Sequence, residues 1–113
     1  MSLREFFRNL PKQIQGEPLI HPLLLDVTKD KHVQQAHEAV ERWIADANGK
    51  KKQRCLHALV NNASIGRLGL IDWTTLDDYE ICMQVNCYGP IRMVKSFLPL
   101  LKKQVIDDTY HDS

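Results

Sequence analysis

The stretch Leu56-His57-Ala58-Leu59-Val60-Asn61-Asn62-Ala63-Ser64 changes character at its midpoint, from mostly apolar up to Val60 to polar at Asn61. A short apolar run that breaks off in this way reads as a strand buried on both faces of a parallel sheet, with its polar end beyond the sheet. Upstream, Leu23-Leu24-Leu25 follows Pro22 and ends at Asp26, a second run of the same kind. Between the two, Thr28 or Asp30 can cap a helix whose apolar face is Val33, Ala36, Val40, Trp43, Ile44 and Ala47, with Gly49 as a stop. Downstream, Gly66 and Gly69 mark a loop, and Thr75 with Asp78 has capping-box spacing. From Leu76 to about Lys103 the residues Leu76, Tyr79, Met83, Cys87, Ile91, Val94, Leu98 and Leu101 predict one apolar stripe on a long helix. Pro90 and Pro99 should kink or divide it.

The flanks are less regular. Leu3, Phe6, Phe7 and Leu10 have helical spacing, Ser2 with Glu5 suits a capping box, and Pro11 stops the pattern. This reads as a core-packing helix. Arg4, Arg8 and Lys12 off its apolar face leave a short membrane-surface helix as the other reading. Residues 1–22 are thus a helix and loop leading in, and residues 107–113 a polar, frayed tail. The order helix, strand, helix, strand, helix argues for a parallel α/β sheet with right-handed crossovers. Ligands in such sheets lie beyond the carboxyl ends of the strands, where Asp26 and Asn61-Asn62-Ala63-Ser64 stand.

Composition excludes several classes of function. With 15 Lys and Arg against 14 Asp and Glu, the charge gives no electrostatic reason to expect nucleic acid or an anionic membrane as partner. Lys50-Lys51-Lys52 with Arg54 is the one basic cluster, read as a solvated loop, with a phosphate or lipid patch as the alternative. An odd count of 3 cysteines without framework spacing suggests reduced thiols and an intracellular setting. No apolar run approaches the ~20 residues of a membrane span, and the N-terminus does not read as a secretory leader. No metal site is expected: the histidines are scattered, and Cys55 with His57 has no further ligand pair beside it.

Taken together, Leu25-Asp26-Val27-Thr28 before a helix, Ala58-Leu59-Val60-Asn61-Asn62-Ala63-Ser64, and Val85-Asn86 followed by Gly89 resemble short-chain dehydrogenases/reductases. They correspond to the end of the third strand, the fourth strand with its Asn-Asn-Ala-Gly motif, and the long fourth helix. The wording Ile91-Arg92-Met93-Val94-Lys95-Ser96-Phe97-Leu98-Pro99-Leu100-Leu101 is similar to the subfamily of retinol, 17-beta-hydroxysteroid and D-beta-hydroxybutyrate dehydrogenases. The resemblance runs from about Leu23 to Lys103. It implies a partial Rossmann-type, doubly wound parallel sheet and a partial NAD(P)-binding domain over residues 1–113.

The resemblance also implies roles. Asp26 would accept a hydrogen bond from the adenine amino group, as an acceptor-only carboxylate suits, and Val27 would add a backbone contact. The alternative is a helix-leading Asp that serves the backbone. Asn61 and Ala63 would line the riboses, mainly through backbone, and Asn62 would tie the fourth strand to its neighbours; the alternative for paired Asn is a turn. Asn86 would be the catalytic-set asparagine that holds a relay water, and also a helix-kink residue. Gly89 would permit close packing, and Trp73 and Tyr79 would be packing residues. Ser64 stands where the motif has Gly, and if that position needs a close backbone approach its Cβ costs about 1 kcal/mol or more.

The 113 residues contain no Thr-Gly-x-x-x-Gly-x-Gly phosphate cradle and no Tyr-x-x-x-Lys acid/base pair. The expectation is therefore a central fragment of an NAD- or NADP-dependent oxidoreductase acting on a lipid-like alcohol or ketone, such as a retinoid, steroid or hydroxy acid, and inactive as this chain. The resemblance allows a homo-oligomer, and its subfamily is often associated with endoplasmic reticulum or mitochondrial membranes. The alternatives are a truncated isoform that acts by binding a partner, and an unrelated flavodoxin-like domain, for which the phosphate loop is missing.

Overall fold

Val33 and Ala36 lie one helical turn apart, and so do Met93 and Phe97; these two pairs bring the chain's helices together. A computed structural model of the chain describes residues 20–48, 54–67 and 69–111. The helix expected from Ser2, the Gly49 stop, the Lys50-Lys51-Lys52 loop and the last tail residues fall outside the described residues. Helix α1 spans Asp30–Asn48, α2 spans Leu76–Met83, and α3 spans Gly89–His111. A π-helical turn, Gln84–Tyr88, joins α2 to α3.

Helix α1 packs on α3. Val33, Ala36, Met93 and Phe97 form the buried cluster, with Leu25, Val27, Val40, Leu56, Leu59 and Leu100 packed around it. Full burial of a Val, Met or Phe side chain stabilises by about 1.5–3 kcal/mol, so this cluster is the main source of cohesion. The expected α1 face is largely the one used: Val33 and Ala36 are buried and Val40 half-buried. Trp43 stacks on His21, with ring centroids 4.4 Å apart. Ala39, absent from the expected face, is also buried.

Helix α3 departs from expectation. Its buried face is Gly89, Met93 and Phe97, whereas Ile91, Val94 and Leu98 of the expected stripe are exposed; the stripe's Leu76, Tyr79 and Met83 lie on the separate helix α2 and are exposed as well. The stretch is apolar on more than one side, so periodicity offered two faces and docking on α1 selected the other. The π-helical turn contributes, because one extra residue per turn rotates everything beyond it relative to a uniform helix. The slip has a local cause. Gly89 N–H bonds back five residues to the Gln84 carbonyl, and the next residue, Pro90, has no N–H and would crowd a normally placed carbonyl four residues before it. Pro99 sits inside α3, which continues past Lys103 to His111.

No strand occurs among the described residues. The runs at Leu23-Leu24-Leu25 and Leu56–Val60 lie against the helices on one side only. Leu24 is 90% exposed and Val60 82% exposed, so burial on both faces is corrected to burial on one. A strand is made by a neighbour's backbone groups, and among the described residues neither run has such a neighbour. Trp73 (76% exposed) and Tyr79 are not packing residues among the described residues either.

Candidate functional site

Asp26 closes the first apolar run, and its side chain folds back on the next two residues. Oδ1 accepts from Thr28 N–H at 3.0 Å and from the Thr28 hydroxyl at 2.7 Å. The Asp26 N–H donates to His32 Nδ1 at 3.1 Å. The Thr28 hydrogen bonds, that of the hydroxyl foremost, hold the Asp26 carboxyl below its ordinary range. Asp26 thus serves the backbone, as the alternative of its two readings has it. Thr28 is occupied with Asp26 rather than capping α1, whose first turn is closed by Val33 N–H on the Lys29 carbonyl at 3.2 Å. Among the described residues Oδ2 of Asp26 takes no bond, so one oxygen is anchored and the other keeps its acceptor capacity.

Val27 lies against α3. A Cβ added at Gly89 would come within 2.7 Å of Val27 Cγ2 and 3.1 Å of Val27 Cβ, so only glycine lets the two segments approach this closely. Asn61, Ala63 and Ser64 are exposed. The segment they belong to is held just beyond them: Asn86 Oδ1 accepts from Ile65 N–H at 2.9 Å, and Asn86 Nδ2 donates to the Ile65 carbonyl at 2.7 Å. A side-chain amide has one acceptor and two donors, and here it pairs with a peptide as a β partner would. Asn86 is the central residue of the π-helical turn, so it combines the helix irregularity with the loop clamp.

Arg92 and Gln84 were not singled out from sequence. Arg92 Nη1 donates to the Val27 carbonyl at 3.3 Å, Nη2 to Gln84 Oε1 at 2.7 Å, and Nε pairs with Asp30 Oδ1 at 3.1 Å. The available signal was a lone cation within Pro90-Ile91-Arg92-Met93-Val94. A second polar bridge joins the helices where Ser96 Oγ and His37 Nδ1 lie 3.2 Å apart. His37 Nε2 lies 2.6 Å from Glu41 Oε1. Cys55 Sγ and His57 Nε2 are 3.7 Å apart on the 54–67 segment.

The arrangement offers a carboxylate anchored through one oxygen, an adjacent peptide held by Arg92, and an exposed loop held by an amide. The family model for short chain dehydrogenase matches residues 3–106. Human retinol dehydrogenase 5 is 39% identical over 85 residues, which cover 74% of this chain and 24% of that protein. 3beta-hydroxysteroid dehydrogenase dhs-16 of Caenorhabditis elegans is 38% identical over 85 residues, 74% of this chain and 21% of that protein. Mitochondrial D-beta-hydroxybutyrate dehydrogenase of Rattus norvegicus is 32% identical over 84 residues, 74% of this chain and 23% of that protein. The chain belongs to the short-chain dehydrogenase family, whose fold is Rossmann-like. It spans under a quarter of the length of these relatives. No solved structure matches the chain at a significant level.

Proposed function

We propose that these residues form the adenosine-side edge of an NAD(P)-dependent oxidoreductase, the parts of a partial doubly wound sheet that carry its third and fourth strands. The observation that carries this reading is the convergence of Asp26-Val27 and the Asn61–Ile65 loop on one short stretch, Gln84–Arg92, through Gly89, Arg92 and Asn86. In it, Asp26 accepts from the adenine amino group, the Val27 backbone lies against the ring, and Asn61, Ala63 and Ser64 line the riboses. Asn86 clamps the loop through its side chain, and its place in the π-helical turn suits it to the proton relay. The bound cofactor supplies the hydride chemistry.

The substrate of the whole protein is an alcohol or ketone of the kind named in its relatives: a retinoid, a 3β-hydroxysteroid or the small hydroxy acid D-β-hydroxybutyrate. Hydride transfer also needs a phosphate cradle and a Tyr-x-x-x-Lys pair, neither of which is among these 113 residues. General acid-base groups alone contribute about 10²–10⁴ in rate. The 113-residue chain by itself is thus a nucleotide-edge module without turnover.

The test is titration of the chain with AMP, NAD and NADP, followed by nuclear magnetic resonance. AMP should perturb the amides of Val27, Thr28 and Asn61–Ile65, and Asp26→Ala should weaken binding several-fold. Perturbations elsewhere, or binding unchanged in Asp26→Ala, would overturn the assignment. Alcohol oxidation that tracks the purified chain would overturn the division of labour.

A further inference from the structure

We infer that Arg92 is a positioning residue that couples the two ends of the nucleotide edge, orienting the Asp26 carboxylate through one peptide unit and the Asn86 clamp through the π-helical turn. The inference rests on the nucleotide reading above. Its basis is that all three guanidinium nitrogens are engaged, each by a different part of the chain: Nη1 by the Val27 carbonyl, Nη2 by Gln84, and Nε by Asp30. The side chain is 24% exposed, so its bonds to Val27 and Gln84 are partly sheltered, whereas Asp30 is 91% exposed. An exposed ion pair of that kind contributes little. The organising contacts are therefore the two to neutral acceptors.

Consider the peptide unit between Val27 and Thr28. Its carbonyl receives Arg92 Nη1 at 3.3 Å, and its N–H donates to Asp26 Oδ1 at 3.0 Å. A peptide unit is planar and moves as one body. Holding its carbonyl fixes the direction of its N–H, and that N–H fixes one oxygen of Asp26. The second oxygen then points along a defined direction toward a donor. Without Arg92 the unit can rotate about its flanking dihedrals, and Asp26 loses its backbone donor.

The other end works through Gln84. Its side-chain oxygen takes Arg92 Nη2 at 2.7 Å, while its main-chain carbonyl takes the Gly89 N–H that defines the π-helical turn. That turn sets the height and rotation of Asn86, which holds Ile65 by two bonds. The guanidinium is a rigid planar fork, so the geometry of one end constrains the other. A lysine ammonium is a compact charge on a flexible stem and cannot span both acceptors in this way.

The experiment uses the 113-residue chain with Arg92→Lys and Arg92→Met, and Asp30→Asn as a control that removes only the exposed pair. Amide hydrogen exchange is read at Thr28 and Ile65 against Ala36, in the buried part of α1. Affinities for AMP and for nicotinamide mononucleotide are measured in parallel. Both Arg92 variants should speed exchange at Thr28 and Ile65 together, by roughly two- to tenfold for a lost hydrogen bond, with Ala36 unchanged. They should weaken AMP several-fold and leave nicotinamide mononucleotide as it was; Asp30→Asn should do neither. Equal acceleration at Ala36 would reduce Arg92 to a general stabiliser. A response at only one of Thr28 and Ile65 would refute the coupling, and unchanged AMP affinity would refute the orientation of Asp26. If the unsubstituted chain binds no AMP, the nucleotide reading and the orientation of Asp26 fall together, and joint exchange at Thr28 and Ile65 still decides the coupling.

Discussion

At the scale of single residues, Gly89 is the most constrained position of the site. Its missing Cβ is what allows α3 to rest on Val27, and Val27 is β-branched, with few rotamers into which it can retreat. Gly89→Ala gains helix propensity but should still destabilise the chain, because overpacking against a stiff neighbour costs about 1–3 kcal/mol. Denaturant titration followed by helical circular dichroism measures the loss, and the double variant with Val27→Ala should recover part of it. A neutral or stabilising Gly89→Ala would mean that Val27 moves freely, and that the contact does not position Asp26-Val27. Ser64 has no such feature: it is exposed, and nothing among the described residues crowds it.

At the scale of elements, α2 depends on its start. Thr75 Oγ1 accepts from Asp78 N–H at 3.2 Å, and Asp78 Oδ2 accepts from Thr75 N–H at 3.2 Å, completing the capping box that the spacing foretold. Arg67 adds a bond to Asp78 Oδ1 at 2.8 Å. The backbone bond from Thr75, then its hydroxyl and Arg67, hold the Asp78 carboxyl below its ordinary value. The sign follows. A carboxylate with a lowered folded pKa stabilises the structure above its unfolded pKa of about 4, and that contribution is lost as pH falls through the folded value. Thr75→Ala should cost about 0.5–2 kcal/mol of helix stability. Acidification below about pH 4 should loosen α2, and less so in Asp78→Asn, where no carboxylate titrates at that position. A Thr75→Ala chain as helical and as acid-resistant as the parent would show that packing alone holds α2.

At the scale of the whole molecule, the buried set is small and the exposed apolar set is large. Val33, Ala36, Ala39, Met93 and Phe97 are buried, while Leu24, Val60, Ile71, Trp73 and Leu76 each stand at least three-quarters exposed. The two apolar runs meet helices on one side and have no ladder partner among the described residues. Unpaired strand-forming edges with apolar faces invite association, and large exposed apolar patches are uncommon on monomers. The purified chain should therefore bind a hydrophobic reporter dye and elute above its monomer mass while the α1–α3 core stays folded. A sharp two-state transition from a dispersed monomer would contradict this and point to a self-sufficient domain.

Local pattern was enough for α1, for the Thr75–Asp78 start of α2, and for the family, because these rest on residues within a few positions of one another or on their order. The polar ends of the apolar runs, Asp26 and Asn61–Ser64, were legible for the same reason: an abrupt change from apolar to polar is a property of neighbours in sequence. The buried face of α3 was not. Pro90 and the π-helical turn rotate the register, and a helix apolar on several sides is oriented only by what it docks against. The Asn86 clamp on Ile65 and the Arg92 contact with Val27 join residues 21 and 65 positions apart. No short-range periodicity carries such pairs, because side-chain amides and guanidinium forks take whichever partners the packing of α1 on α3 brings within reach.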